Sequence, residues 1–419
     1  MEKYNAKDVT FENSKTIPFQ RWYPYIQGYS PEFVKGIIAN STRKKGLIYE
    51  PFAGTGTTLF ASDEMGFDTI YSEVNPVLRF LIDAKMKVLT LTKSSRNELG
   101  NMLLIEASNI VNNSSKCHIN KQLDKAYNIV FGKSLYFPSK TYTSILKLRT
   151  YLDNFEDDKH SELMTTLLTV AVFSILLDVS YLKKQGDVRF KTEKERETEM
   201  KSISDVLPQK IRQIAEDVIN VNTCITYSHQ LITENAKKIS SVRLDNKISM
   251  VITSPPYLNG TNYFRNTKLE LWFLRELHDK QDLRKFRNEA LTSAICDVKR
   301  GDRNSEISFS SNTLVKVMKE LKASAYDKRI PIMVKSYFED MYTLFKGLSG
   351  HLDNGAELYI DLGDSIFNGT HVPTDGILSE VIKSLGYILN ERIILRQRRS
   401  RCQAFLSQVL LKYTYNHHV

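Results

Sequence analysis

Two short stretches carry residue types that can do chemistry together. The first is Ser254-Pro255-Pro256-Tyr257. Neither proline has an N–H to donate to a sheet ladder, so a strand entering this stretch must end there. The carbonyls beside the prolines are left without strand partners and face whatever lies beyond the tip. A small hydroxyl stands before the turn and an aromatic ring after it. Such a set can grip a flat polar ring, with acceptors in its plane for an amino group and an aromatic against its face. A rigid turn with a packed tyrosine is the plainer alternative. The second stretch is Glu50-Pro51-Phe52-Ala53-Gly54-Thr55-Gly56-Thr57, followed later by Glu73. Its glycines let a backbone approach a ligand closely, and the helix after them offers free N–H groups. An acid at the tip of the next strand is where nucleotide-binding βαβ units hold ribose hydroxyls, roughly 20 residues beyond the glycines. Leu59 stands where a dinucleotide pattern needs its third glycine. A small nucleoside ligand without a pyrophosphate fits better. A tight turn with a solvated glutamate is the alternative here.

The elements that must position these stretches are legible around them. Ile248–Ile252 is a β-branched, apolar run that suits a buried strand ending at Ser254. Gly46–Glu50 reads as a short strand, Thr57–Met65 as the helix after the glycines, and Thr69–Ser72 as a second strand. Upstream, Ser30-Pro31-Glu32 is a helix start for Pro31–Ala39: a capping hydroxyl, a proline in the first turn and an acid at the positive end of the dipole. The loop before it, with Trp22, Tyr23, Pro24 and Tyr25, is dense in aromatics. A helix follows Glu73 with Pro76 in its first turn. Residues 95–224 are poor in glycine and rich in helical spacing, as in Ser144–Leu152 and Glu162–Leu177, and read as a mainly helical insertion. Lys183–Lys201 reads as an exposed charged loop or helix edge. Strand periodicity returns at His229–Thr233. Thr267–Leu277 is an amphipathic helix, and residues 279–330 are polar, basic and weakly periodic, as a mobile loop would be. Tyr337–Leu348 is a helix, Ala356–Leu362 a strand, Pro373–Leu385 a helix. Tyr387–Leu395 and Phe405–Tyr413 are strands joined by an arginine-rich turn, a closing antiparallel hairpin.

The whole is an α/β chain of 419 residues, long enough for a sizeable core and two or three lobes. Its 42% hydrophobic and 25% charged residues mark an ordinary globular protein. Net charge is +10, with a pI near 9.1, which favours a polyanionic partner, nucleic acid first. Cys117, Cys224, Cys296 and Cys402 form no CxxC pair and the histidines no HExxH, so neither a metal site nor a disulfide framework is expected. A reducing cytoplasm is the expected setting. The N-terminus lacks a signal-peptide core, and the most apolar run, Leu163–Tyr181, is too polar for a membrane span.

With these residues in place the chain resembles the amino-group DNA methyltransferases of bacterial restriction–modification systems. Glu50–Thr57 is similar to that family's cofactor motif, and Ser254–Tyr257 to its catalytic motif in the form common among cytosine-N4 enzymes. Tyr23–Val34, Asn259–Phe273, Gly363-Asp364 and Val372–Asp375 also look like family segments. The resemblance covers residues 20–90 and 229–415. It implies a Rossmann-like, S-adenosylmethionine-dependent methyltransferase sheet closed by the C-terminal hairpin. The chain would divide into a cofactor half, 1–94, the helical insertion, 95–224, and a catalytic half, 225–419. Since the chain ends at the hairpin, target recognition would fall to the insertion, with help from 279–330.

The reaction implied is methyl transfer to an exocyclic amino nitrogen of a base flipped from double-stranded DNA. Ser254 and the Pro255 carbonyl would hold the amino hydrogens, Pro256 would keep the turn rigid, and Tyr257 would stack on the base. Phe52, Gly54 and Gly56 would shape the pocket around the methionine part of S-adenosylmethionine, together with Glu50, Ala53, Thr55 and Thr57. Glu73 would hold the ribose, Asn235 would sit near the adenine, and Tyr25 and Ser30 would close the other side. Core packing or capping is the alternative for Tyr25 and Asn235. Arg392, Arg396, Arg398, Arg399 and Arg401 around the last hairpin would contact phosphates, or else form a solvated turn. A cognate restriction endonuclease is the implied companion, with no membrane and no metal involved. Serine before Pro255 favours cytosine N4; adenine N6 stays open, as do, further off, an RNA or protein-glutamine substrate and a non-catalytic remnant. None of the cysteines follows a proline, which argues against carbon-5 chemistry.

Overall fold

The structure, a computed structural model, describes residues 8–10, 12–25, 28–156, 160–185, 187–258, 263–298, 309–399, 403 and 405–417. Its strands run in chain order β1 (Leu47–Glu50), β2 (Asp68–Ser72), β3 (Leu182–Gln185), β4 (Asp187–Phe190), β5 (His229–Thr233), β6 (Ile248–Thr253), β7 (Leu352–Gly363), β8 (Ser365–Phe367), β9 (Thr370–Val372), β10 (Tyr387–Arg399) and β11 (Phe405–Tyr415). Seven of them form one sheet in the order β10-β11-β7-β6-β1-β2-β5. The five strands from β7 to β5 are parallel, and β11 runs against both its neighbours. This is a Rossmann-like α/β sheet closed by a C-terminal antiparallel hairpin. From β1 the chain moves first to one side, through β2 and β5, and then to the other, through β6 and β7. Open α/β sheets bind ligands in the crevice at the carboxyl ends of the strands where the order reverses. That crevice lies between β1 and β6, the strands that end at Glu50 and just before Ser254.

The central strands are apolar because both faces are covered. Every residue of β6 is buried, and β7 is buried from Ala356 to Gly363. The helix Arg329–Ser349 lays Ile330, Met333, Val334, Tyr337 and Phe338 on one face. The helix Pro31–Asn40 lays Phe33, Val34 and Ile37 on the other. Its start follows the expected chemistry: Ser30 Oγ accepts from the Phe33 N–H, and Pro31 opens the first turn.

The insertion carries helices Lys93–Ser115, Lys121–Phe131, Ser139–Asp153, Ser161–Ile175, Glu193–Glu199 and Ile203–Asn220. Its core continues into the catalytic part. Trp272, with no exposure, donates from Nε1 to the Leu123 carbonyl at 2.9 Å and packs against Tyr127 and Tyr142. Tyr23 meets Phe173 edge-on. Replacing a buried tryptophan of this kind by alanine costs about 3–5 kcal/mol.

Three segments differ from expectation. Lys183–Lys201, expected as an exposed loop or helix edge, holds a helix with no buried residue, Glu193–Glu199, but also strand residues. It contributes to the hairpin β3–β4, which buries Leu182 and Val188, and then forms a capped helix. Its charges satisfy one another through Lys183 with Glu195 and Glu199, and Arg189 with Glu195. The helix expected over Thr267–Leu277 closes after Lys268–Phe273, where Arg275 turns to φ 63°. The weakly periodic 279–330 holds helices Asp282–Glu289 and Asn312–Ser324, the second burying Leu314, Val317 and Leu321. The first, eight residues long with none of them buried, is too short and too polar for a clear periodic signal. Residues 299–308 of this stretch lie outside the described residues.

Candidate active site

The loop after β1 is shaped by backbone that only glycine adopts with ease. Gly54 has φ 56° and Gly56 φ 84°. A Cβ on Gly56 would stand 2.8 Å from the Phe60 ring, and one on Gly54 would stand 3.2 Å from the Tyr25 ring. The floor beneath Tyr25 is thus bare backbone, a cradle that a side chain would fill. The helix Thr57–Glu64 begins there with no side-chain cap, so its first N–H groups remain for a ligand. Lys85, with no exposure, holds the loop from behind by donating to the Thr55 carbonyl at 2.8 Å, and burial lowers its ammonium to about 7.

Two carboxylates flank the loop. Glu73, beyond the end of β2, accepts from the Gly54 N–H through Oε2 and from the Asn75 N–H through Oε1, each at 2.8 Å. It lines the cleft, and burial pushes its carboxyl up to about 7. Glu50 lies behind the cleft. Its carboxylate takes Tyr29 and Thr253 hydroxyls at 2.5 Å, the Thr58 hydroxyl at 2.8 Å and the Phe52 N–H at 3.0 Å. It ties the tips of β1 and β6 to the start of the helix rather than facing a ligand.

Across the crevice, Ser254 and Pro256 line the cleft and Pro255 is buried beside them. The Ser254 and Tyr257 side chains hydrogen-bond to each other and to Asp361 on β7. Asp361 is 2% exposed and accepts two further bonds, at 2.9 Å each, from Gln408 Nε2 on β11. Burial pushes its carboxyl up to about 6, against the pull of these donors and of Arg396. The Tyr257 ring rests on Gly363, where an added Cβ would stand 3.1 Å from two ring carbons. Asp361 and Gln408 carry no motif. The sequence signal is weak: Asp361 is one of two acids, with Glu357, inside the otherwise apolar run Ala356–Leu362.

Of the expected cofactor residues, Tyr25, Phe52, Ala53, Gly54, Thr55, Thr57, Glu73 and Asn235 line this cleft. Ser30 and Glu50 stand behind it as a helix cap and a strand tie; Gly56 acts through backbone shape. Tyr25 bonds to Tyr263, another wall residue. Asn235 caps the 3-10 turn Ala236–Ser241 through Oδ1 and donates from Nδ2 to Glu289 at 2.7 Å. The far wall is Glu289, Ala290, Leu291, Ser293 and Asp297, from the stretch expected as a loop. The cleft combines a bare glycine floor, an acceptor carboxylate, aromatic and apolar walls and open N–H groups. That donor set fits a nucleoside bearing an amino-acid tail. Among the described residues no group of three or more His, Cys, Asp or Glu could hold a metal ion, and no helix is long and apolar enough to cross a membrane.

The arginines of the last hairpin do not act as one patch. Arg392 is paired with Asp375. Arg396, on β10 opposite Gln408, is near enough to Asp361 to feel its charge. Arg398 is exposed, and Arg399 lies 5.2 Å from the Phe405 ring centre. Arg401 lies outside the described residues.

No family model matches the chain. One solved structure, the rRNA methyltransferase aviRa from Streptomyces viridochromogenes, is 10% identical with a TM-score of 0.31, covering 98% of this chain and 94% of its own. A likeness that slight bears no argument. Similarity to curated proteins is of another order. The chain is 24% identical to the Type II methyltransferase M.BsoBI of Geobacillus stearothermophilus, over 98% of this chain and 86% of that one. It is 24% identical to the Type II methyltransferase M.AvaI of Nostoc sp. (strain PCC 7120) and to M.AvaI of Anabaena variabilis, over 94% of this chain and 84% of each. Similarity runs nearly end to end, and both motifs stand at neighbouring strand tips around one cleft, so the chain is similar to Type II methyltransferases over almost its whole length.

Proposed function

We propose that the protein is a site-specific DNA methyltransferase. It moves a methyl group from S-adenosylmethionine to the exocyclic N4 amino group of a cytosine turned out of double-stranded DNA, and so protects the site from a companion restriction enzyme. The observation that carries this reading is Ser254, presented to the cleft at the tip of β6 with its side chain bonded to Asp361. A hydroxyl whose proton points to a buried carboxylate, with one lone pair toward Tyr257, has its other lone pair left to accept. An aromatic amino nitrogen is a poor nucleophile because its lone pair is shared with the ring. Ser254 Oγ and the Pro255 carbonyl, each taking one amino hydrogen, pull that nitrogen toward tetrahedral and free the pair.

When bound, S-adenosylmethionine supplies an electrophilic methyl on its sulfonium. The Gly54 floor would hold its amino-acid part and Glu73 its ribose hydroxyls. Pro256 holds the turn rigid, and Tyr257, pinned by its hydroxyl and by Gly363, offers its ring to the target base. The acceptors are therefore set before the reaction and need no reorganisation during it. After transfer the nitrogen carries an extra proton, and Ser254 with Asp361 gives that proton a path away from the cleft. Serine in place of an acid before Pro255 supports cytosine over adenine. The helical insertion 95–224, packed around Trp272 just downstream of the catalytic turn, is the proposed target-recognition region. Exposed Arg396, Arg398 and Arg399, with the net charge of +10, support phosphate contacts along β10.

The test is to incubate the protein with unmethylated double-stranded DNA and labelled S-adenosylmethionine, digest to nucleosides and identify the product by mass spectrometry. The expected product is 4-methylcytosine. 6-Methyladenine would overturn the choice of base, and no DNA product with cofactor still bound would overturn DNA as substrate.

A further inference from the structure

The cleft wall contributed by Glu289–Asp297 carries no recognisable motif, yet it is built as firmly as the motif loops. Lys237 Nζ donates to the Ala290 carbonyl at 2.7 Å and reaches Asp340 at 3.2 Å. The Thr292 N–H donates to the same Asp340 carboxylate at 2.8 Å. Where this wall meets the tip of β5, Asn235 and Glu289 come together.

Their bonding is lopsided. Asn235 uses Oδ1 for the Lys237 N–H and one Nδ2 hydrogen for Glu289, so each end of its amide already has a partner inside the protein. Glu289 receives both Asn235 Nδ2 and Lys238 Nζ, at 2.7 Å each, on one oxygen, Oε2. Among the described residues no donor reaches its other oxygen, Oε1. The Lys238 ammonium, with Asn235, holds the Glu289 carboxyl below the usual range, so it is charged at neutral pH. Glu234, the neighbouring acid on this rim, is paired with Arg79 at 3.0 Å. Two buried apolar groups, Ala236 and Leu291, line the same cleft as Glu289. Apolar surfaces with one fixed, charged acceptor at their edge suit a flat heterocycle that bears an amino group.

Sheet order says which heterocycle. The strand tips run β6, β1, β2, β5 across the cleft, carrying Ser254, the Gly54 loop, Glu73 and Asn235 in turn. Three strand spacings span about 14 Å. A methyl donor with its sulfonium near Ser254 and its ribose at Glu73 places its base at the tip of β5. We infer that Glu289 reads the purine of the methyl donor, its open oxygen accepting from the 6-amino group of adenine against Ala236 and Leu291. Glu289 is thus a specificity-determining residue for an aminopurine over an oxopurine. The assignment rests on the proposed cofactor site and names the group that selects its base.

The experiment compares equilibrium binding of S-adenosylhomocysteine with that of its deaminated counterpart, S-inosylhomocysteine, in the absence of DNA. The oxopurine sets an acceptor against the Glu289 carboxylate. The Glu289 side chain is 47% exposed in the free protein; once a ligand covers it, two facing acceptors with no proton between them are left unpaired, and the wild-type protein is expected to prefer the adenosyl ligand by about 100-fold. Glu289→Gln, whose amide can turn its N–H₂ toward the ligand, is expected to cut that preference to about fivefold or less. Glu289→Asp, which keeps the charge but withdraws it by one methylene, is expected to weaken both ligands, the adenosyl one more. Glu234→Gln should leave the ratio as in the wild type. An unchanged ratio in folded Glu289→Gln and Glu289→Asp, checked by thermal unfolding, would overturn the assignment. A wild-type protein that binds neither ligand would overturn the cofactor site itself, and this assignment with it.

Discussion

The two sides of the crevice solve one problem in different ways. On the β1–β2 side, Glu73 is held by two backbone N–H groups and faces the cleft. On the β6–β7 side, Asp361 is held by side chains alone, from Gln408, Tyr257 and Ser254, and is buried beneath the Ser254–Tyr257 turn. Burial raises both carboxyls, to about 7 and about 6. A backbone-held acid keeps its place when neighbouring side chains change, so it can serve a ligand directly. An acid held by side chains acts through them, so its charge is transmitted to Ser254 and Tyr257. Glu50 shows a third outcome on the same loop: four donors on one carboxylate leave it a tie between strands.

This contrast predicts separable losses. The largest belongs to the transfer step. Ser254→Ala removes the acceptor itself and is expected to lower kcat by about 100-fold to 1,000-fold, the range for removing one preorganised polar group from a reacting centre. S-Adenosylhomocysteine affinity should stay within about twofold, and a variant that turns over normally would remove Ser254 from the reaction.

Asp361→Asn comes next, with kcat down by about 100-fold and cofactor affinity kept. The acid limb sharpens this. The wild-type rate should fall as pH drops through about 6, because the carboxylate that draws the Ser254 proton becomes protonated. The limb should vanish in Asp361→Asn, and its persistence there would assign it to another group.

On the other side, Glu73→Gln is expected to weaken S-adenosylhomocysteine by about tenfold at pH 8, with a smaller effect on kcat at saturation. Wild-type affinity should fall as pH drops through about 7, since the charged carboxylate accepts the ribose hydroxyls. Stability of the unliganded protein runs the opposite way. A carboxyl raised by burial binds its proton more readily folded than unfolded, so between about pH 4.5 and 7 stability from this group rises as pH falls. Calorimetry of wild type against Glu73→Gln would show both slopes, and parallel pH profiles would refute them. The smallest effect is expected from Arg396→Ala: a few-fold loss of DNA affinity and a shallower salt dependence by about one ion, measured by titration at several salt concentrations. An unaltered salt slope would remove Arg396 from the DNA contacts.

Much of the crevice was legible before any coordinates. Gly54 and Gly56 demand a backbone few other residues adopt, Pro255-Pro256 ends a strand, and Ser30-Pro31 starts a helix. Each is a local effect that a short stretch determines alone. Legibility stopped where the cause was not local. Nothing near Asp361 tells that Gln408, 47 residues on, will meet it across β7 and β11. Nothing near Glu289 tells that Asn235 will. Arg392 reads as a free cation until Asp375 is seen beside it. Lys183–Lys201 reads as solvated charge until its ion pairs close on each other.

The strand tips, the glycine turn, the helix starts and the alternation of sheet and helix follow from local sequence, because sterics and hydrogen-bonding capacity act within a few residues. Tertiary structure decided which carboxylate faces the cleft and which ties the fold, how one continuous core joins the insertion to the catalytic part, and which acid stands at the far wall. Those outcomes depend on which donors the fold brings within about 3 Å of each oxygen, and donors distant in the chain become neighbours only when strands and helices pack.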